Sequence, residues 1–519
     1  MPAEHEKPTA AGGVDSHQAS GSGPSWVAEG PVVPWNAGRS KAGGREGALV
    51  LGAYEEEESQ GIGRDALPTP KTVRNLQKKL YLKAKQEAEF RFYSLYDKIY
   101  REDILAHAWA LVKANRGAAG VDGVETYDVL GQETEFLAKL KEELRTQTYK
   151  PLPVRRVNIP KPDGGLRPLG IPCVRDRIAQ QAARLVLEPI FEADFPGAMY
   201  GYRPQRQAHQ AIRRVHGLLR DGYTDVVDAD LSKYFDTIPH QELMRSVARR
   251  ISDGKVLKLI KLWLKAPVQE RDEDGTTRLS GGQHQDRGTP QGGVISPLLA
   301  NIYMRRFLMA WANWGLPEKL QAHVVNYADD FVILCRGTAR EAREAAGKIV
   351  GAMKLAVNEE KTRIVDAWQE TFDFLGYTFG RCWSPRTGQA YLGARPAKKR
   401  LKRFYASIRD FLCPGNQGSI PDVLLRLNLR VSGWANYYSY GTLSKAYRWL
   451  DFQLANRFRA WLCRRGKIAG QGTRQYPDRE LYAMGLICLT EGLAIRRRAN
   501  APGETSPRAG CGKTARPVR

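Results

Sequence analysis

Asp329 and Asp330 stand side by side between two apolar runs, His323-Val324-Val325-Asn326-Tyr327-Ala328 and Phe331-Val332-Ile333-Leu334-Cys335. Each run has the composition and length of a β-strand. Short acidic side chains suit a tight turn between them, because they bond their own backbone there. Two carboxylates fixed at a hairpin tip repel each other unless a cation neutralises them. Hard oxygen donors suit Mg²⁺, which takes one or two carboxylates together with substrate phosphates. An isolated Asp-Asp pair is equally an ordinary polar turn, so the metal reading needs a third acid. Asp230 supplies it at the end of the strand-like run Asp225-Val226-Val227-Asp228-Ala229-Asp230. Three carboxylates suit two Mg²⁺ ions, the arrangement for in-line attack of a 3′-hydroxyl on a nucleoside triphosphate. Asp228 and Asp236 compete for the third place; Asp236 reads as helix-start chemistry and Asp228 as structural.

Other stretches must position these acids or meet their substrate. Thr237 and Pro239 read as the cap and first turn of a helix reaching Ile251. Upstream, Asp163-Gly164-Gly165 turns between two extended arms and places Lys161 and Arg167 on one hairpin. Two cations there could hold a triphosphate or could be solvated edge-strand charges. Lys113 to Gly123 is a Gly-rich basic loop, Arg175 to Glu192 a helix, and Tyr200-Gly201-Tyr202-Arg203-Pro204 a turn. Arg287 to Ile302 is a Gly/Pro turn leading into an apolar helix, and the two glycines after Gln291 would allow close approach to a ligand.

Composition bounds the rest. The 519 residues contain 80 Lys and Arg against 56 Asp and Glu, a net charge of +24, as expected of a protein that neutralises phosphates. Seven scattered cysteines with no Cys-x-x-Cys pair signal neither a disulfide framework nor a zinc knuckle. No apolar run approaches the ~18 to 20 residues that span a bilayer, so no membrane partner and a reduced, cytoplasmic setting are expected. Residues 1–70, rich in Gly, Ala, Pro and Ser, read as a disordered extension.

Taken in order, these stretches resemble the bacterial group II intron-encoded reverse transcriptase and maturase family. The resemblance rests on Lys113 to Gly123, Ile159 to Pro172, Tyr200 to Pro204, Asp230 to His240, Gly288 to Asn301 and Tyr327 to Asp330. It continues through Asn358-Glu359-Glu360-Lys361-Thr362 and Phe372-Asp373-Phe374-Leu375-Gly376-Tyr377. It implies an α+β right-hand polymerase, fingers and an antiparallel palm sheet over 71–385, followed by an α-helical thumb and maturase domain over 386–480. By the same analogy Asp230, Asp329 and Asp330 are catalytic, and Asp230, Asp329 and the Leu231 carbonyl hold the metals. Lys161, Arg167, Phe235, Gln291 and Lys361 would meet the dNTP, with Phe235 crowding a ribose 2′-hydroxyl. Gln205 and Gln207 depart from the family's smaller residues, which puts the template contact there in doubt. The expected partners are group II intron RNA, a DNA target and primer, and dNTPs, in a bacterial, nucleoid-associated setting.

Beyond Phe379, Arg395 to Arg409 reads as a basic amphipathic helix whose Lys398, Lys399, Arg400, Lys402 and Arg403 would bind RNA. Leu427 to Tyr440 interleaves aromatics that could stack bases or fill a core. Residues 481–519, with Arg496-Arg497-Arg498, read as a disordered basic tail. No histidine follows His323, so no His/Cys endonuclease chemistry is expected there. Two functions fit: an RNA-directed DNA polymerase that also assists splicing, or a non-catalytic RNA-binding splicing factor on the same fold. Three crowded acids beside polyanionic RNA favour the enzyme.

Overall fold

The computed structural model describes residues 67–160, 165–271, 274 and 276–492. Lys161, Arg496-Arg497-Arg498 and nearly all of the 1–70 extension therefore lie outside the described residues. Helices α1 (Lys71–Gln86), α2 (Tyr96–Ile99), α3 (Glu102–Ala114) and α4 (Glu133–Arg145) precede a hairpin, β1 (Val154–Pro160) and β2 (Leu166–Ile171). After α5 (Val174–Glu192) and α6 (Ala208–Arg220) come β3 (Asp225–Ala229), α7 (Tyr234–Thr237), α8 (His240–Ala248), α9 (Gly254–Leu264) and the hairpin β4 (Pro267–Arg271) and β5 (Thr277–Gly281). The helices α10 (Ser296–Asn313) and α11 (Leu316–Lys319) lead to β6 (Ala322–Tyr327), β7 (Asp330–Cys335) and α12 (Ala339–Ala352). Four strands follow, β8 (Arg363–Asp366), β9 (Phe372–Phe374), β10 (Tyr377–Trp383) and β11 (Ala390–Pro396). The described chain closes with α13 (Lys398–Phe411), α14 (Ile420–Tyr437), α15 (Ser444–Arg465) and α16 (Asp478–Ala483).

The strands form three sheets. One is fully antiparallel in the order β6-β7-β3-β8, one is β2-β1-β4-β5 with a parallel β1/β4 pair, and one is β11-β10-β9. Alternation along the antiparallel sheet divides the molecule's interior. Val227, Phe331, Ile333 and Cys335 point into a core shared with the N-terminal helices, while Val226, Val325, Val332 and Leu334 point into a second core. Successive side chains leave opposite faces of a strand, so five or six residues suffice to serve two cores. The second core runs on through Phe372, Tyr377 and Phe379 to Leu427, Val431, Leu450, Leu454 and Phe458.

Three sequence expectations change here. Residues 481–492 are packed and are not tail: Leu481, Leu486 and Leu489 are buried, and the Asp451 carboxylate accepts from the Leu489 and Thr490 N–H groups at 2.9 and 3.0 Å. Thr237 closes α7 and does not cap the next helix, its hydroxyl bonding the Lys233 and Tyr234 carbonyls at 3.2 Å each; α8 starts after Pro239 and ends at Ala248. The boundary at 385 falls inside the β10/β11 hairpin, whose register pairs Trp383 with Ala390. Of the two readings left open for the aromatic block, packing is the one seen: Trp434 stacks on Phe404 at 5.2 Å, Trp449 meets Tyr405 at 5.5 Å, and the Tyr437 hydroxyl donates to the Leu375 carbonyl at 2.8 Å.

Candidate active site

The β6/β7 hairpin pairs Tyr327 with Asp330, so its two-residue turn is Ala328-Asp329 and Asp330 opens β7. Ala328 takes φ +60, a left-handed conformation that costs a non-glycine residue about 1 kcal/mol. The surroundings hold it there. Asn326 Nδ2 donates to the Ala328 carbonyl at 2.9 Å, and the Tyr200 N–H donates to the Asn326 carbonyl at 2.9 Å. Gly201 lies against the turn so closely that a Cβ would sit 2.4 Å from the Ala328 nitrogen, which only glycine permits. Gly201 is fixed in turn by Asn301 Nδ2, which donates to its carbonyl at 2.8 Å.

Asp230 follows the end of β3, beside β7 in the same sheet. Its Oδ2 accepts from Asn358 Nδ2 at 3.1 Å and lies 3.5 Å from Lys361 Nζ. Leu231 forms a bridge to Val357 through the Ser232 N–H and the Asp230 carbonyl, which leaves Leu231's own carbonyl outside the bridge. Asp228, two residues earlier in the strand, is paired with Arg363 at 3.3 Å, in keeping with its structural reading.

The acids feel one another. Asp330 as a residue is exposed at the mouth of the turn, but the protein crowding its carboxyl desolvates it and pushes it up to about 6, with repulsion from Asp329, Asp230 and Asp228 adding and Arg400 opposing. Burial also raises Asp329, against the pull of Arg167. Among the described residues no three His, Cys, Asp or Glu side chains gather tightly enough to hold an ion by themselves. Crowded hard-oxygen donors of this kind still fit Mg²⁺ when substrate phosphates complete its shell. A pH dependence follows. In metal-free protein the folded chain keeps a proton on Asp330 that the unfolded chain has released near its ordinary value of 3.8. That contribution to stability is present at low pH and is lost as pH rises through about 6. Asp330→Asn should therefore flatten the fall in melting temperature between about pH 4 and 6 in EDTA; an unchanged slope would place the titration elsewhere.

On the substrate side, Arg167 Nε donates to Gln291 Oε1 at 3.1 Å, and the Gly170 N–H donates to the Gln291 carbonyl at 2.5 Å. Gly292, at φ +108, would place a Cβ 2.3 Å from the Gly170 oxygen. This corrects the sequence reading of these glycines, since Gly292 makes room for the chain's own β2 and not for a ligand. Phe235 is buried and meets Tyr202 edge-on at 6.4 Å, while its carbonyl accepts from the Thr289 N–H at 2.7 Å. Gln207 opens α6, its N–H donating to Gln210 Oε1 at 3.0 Å.

The five cations of α13 do not act alike. Lys399 is held by Asp373 at 3.1 Å, and Arg400 is close enough to the acids to oppose the rise at Asp330, leaving Lys398, Lys402 and Arg403 exposed on the helix. Sequence reasoning misses Asn326, Asn358 and Tyr202 as members of this site and gives Arg400 a part in RNA binding alone. Their places depend on tertiary packing, including the chain crossings of Leu231 with Val357 and Met199 with Asn326, that no local pattern announces.

Residues 159–379 match the family described as reverse transcriptase (RNA-dependent DNA polymerase), and residues 401–476 match the group II intron, maturase-specific domain. Protein YkfC of Escherichia coli K12 is 35% identical over 66% of this chain and 96% of the relative. The group II intron-encoded protein LtrA of Lactococcus lactis subsp. cremoris is 36% identical over 41% of this chain and 34% of the relative. An uncharacterized 91 kDa protein in the cob intron of Schizosaccharomyces pombe is 27% identical over 54% and 40% respectively. The chain thus spans almost all of the first relative and well under half of the other two.

Proposed function

Because this chain belongs to the group II intron-encoded reverse transcriptase and maturase family, an RNA-directed DNA polymerase joined to a maturase domain, we propose that it copies its intron RNA into cDNA at Asp230, Asp329 and Asp330 and grips that RNA through α13. The observation that carries the reading is the convergence of these three acids, from two neighbouring strands of one sheet, beside Lys361 and Arg167. In right-hand terms the antiparallel sheet is the palm, the β2-β1-β4-β5 sheet belongs to the fingers, and the helices from α13 onward form the thumb, with the boundary at Ala397. Asp230, Asp329 and the Leu231 carbonyl would hold two Mg²⁺ ions, which supply Lewis-acid activation of the primer hydroxyl and charge neutralisation at the leaving pyrophosphate. Asp330 adds negative potential beside them. Arg167, steadied by Gln291, and Lys161 orient the triphosphate, and Lys361 balances charge at Asp230. The partners are intron RNA, DNA target and primer, and dNTPs, in a bacterial cytoplasm at the nucleoid. Primer extension on an RNA template in Mg²⁺ tests the activity; an inactive full-length chain that still binds intron RNA would overturn it in favour of a splicing factor.

Sugar choice falls to Phe235, with Tyr202 holding its ring from the side. Phe235→Ala should admit ribonucleotides at least about tenfold more readily, the scale of removing one steric block. Tyr202→Ala should do so more weakly, and Tyr202→Phe not at all, because the two side chains meet ring to ring. Competitive incorporation of rNTP and dNTP measures this, and unchanged discrimination in folded Phe235→Ala would leave that ring only a packing role.

RNA grip is supported by the helix dipole. Lys398, Lys399, Arg400, Lys402 and Arg403 all lie in the first two turns of α13, against its positive end, with no acid in the first turn. Such an arrangement is locally unfavourable and is relieved by an external anion. Replacing Lys398, Lys402 and Arg403 with Ala should flatten the salt dependence of intron binding by about 0.7 to 0.9 log unit for each phosphate that is no longer neutralised. An unaltered slope would return them to plain solvation.

A further inference from the structure

Away from the acids, α8, α9 and the loop 284–287 line an open cavity of about 650 Å³. Its apolar lining includes Met244, Leu257 and Leu264, all packed into the first core. Arg245, Lys261, Lys265, Arg287 and Lys354 also line it, and among the described lining residues Asp286 is the one carboxylate. Glu242, just behind, is already engaged by Arg245, Arg306 and Lys354 at 3.1, 3.0 and 3.0 Å. Glu242 thus offsets Arg245 and Lys354, and with Asp286 as the carboxylate of the wall the lining keeps a net positive charge that attracts anions. The volume lies within the range of sites that enclose a small molecule. An apolar surface beside cations complements a flat base with phosphates attached.

We propose that this cavity is a second nucleotide site, taking a phosphorylated nucleoside with its base on the Met244–Leu264 surface and its phosphates against Lys261, Lys265 and Arg287. The ligand is a free nucleotide or an unpaired nucleotide of an RNA strand, which share this chemistry. The site has none of the polymerase acids in its wall, yet it is connected to Phe235. The Asp286 carbonyl accepts from the His240 N–H at 2.8 Å, the Gly288 N–H donates to the Ile238 carbonyl at 2.8 Å, and the Thr289 N–H reaches the Phe235 carbonyl at 2.7 Å. One short loop therefore forms the cavity's wall and then the support of Phe235.

The test uses the full chain in EDTA with two photoprobes, 8-azido-ATP and a short 5′-phosphorylated RNA carrying one 4-thiouridine, and maps the labelled peptides by mass spectrometry. Label is expected within 239–265 or 284–287, and the probe that delivers it identifies the source of the ligand. Lys261→Glu with Lys265→Glu should reduce that label at least about tenfold. Lys255→Glu with Lys258→Glu makes the same charge change on the same helix, but those lysines line a different hollow with Tyr93 and Asp97, so the label should change less than about twofold. Absence of label from these peptides with both probes, or equal losses in the two variant pairs, would overturn the proposal.

Discussion

Asp329→Asn is expected to reduce RNA-templated primer extension by about three orders of magnitude or more, ~4 kcal/mol of barrier, while the chain stays folded and binds RNA at least as tightly as wild type. The amide keeps the size of the side chain, and the turn that carries it is held by Asn326, Gly201 and Tyr200. Losing one charge relieves repulsion at Asp330, so its carboxyl should titrate below about 6 in the variant. RNA phosphates meet one negative charge fewer, which is why affinity holds or improves. Extension assays with a labelled primer on intron RNA, alongside filter binding and thermal unfolding, measure all three. Wild-type cDNA synthesis by the variant would move the chemistry away from this turn.

The second large effect lies in stability. Glu192 ends α5 and Arg203 lies in the turn before α6; both side chains are almost wholly buried. Arg203 Nε meets the two carboxylate oxygens at 3.1 and 3.0 Å, Nη2 meets one at 2.6 Å, and Nη1 donates to the Pro196 and Met199 carbonyls at 2.8 Å each. Glu192→Ala leaves a buried guanidinium without its counterion and should cost about 3 to 5 kcal/mol, read as a lower urea midpoint at unchanged slope. Because Met199 bridges to Asn326, the same change should loosen the Ala328-Asp329 turn and lower extension activity. The paired change Glu192→Leu with Arg203→Met should cost less than Glu192→Ala alone. If it costs more, the pair is worth more than its desolvation.

How far the sequence foretold this follows from the range of each signal. Strand alternation and apolar periodicity are local, and they located β3, the β6/β7 hairpin and α5 within a residue or two. The acids were legible because each sits at the end of a recognisable strand. The Glu192–Arg203 pair was not, since nothing in Tyr200 to Pro204 says that its arginine turns inward to meet a helix end. The glycines at 292 and 293 misled for a related reason. A residue without a side chain signals close approach but not what approaches, and for Gly292 the neighbour is Gly170. Helix starts failed where a proline stood among several polar residues, as at Thr237 and Pro239, because each is an acceptable first residue and only tertiary bonds choose between them.

The second hydrophobic core carries a lesson about inheritance. Val226, Val325, Val332 and Leu334 of the β6-β7-β3-β8 sheet share it with Leu427, Val431, Leu450 and Phe458 of the helical region, and the β10/β11 hairpin lies between. The two matched families part between residues 379 and 401, but the packing does not part there. Exchange of the helical domain between distant relatives would bring together two half-cores that had never been selected to fit. This domain should therefore travel through evolution with its own polymerase, and a chimera joined near residue 385 should recover its fold only when the donor's side chains on that face of the β6-β7-β3-β8 sheet move with it.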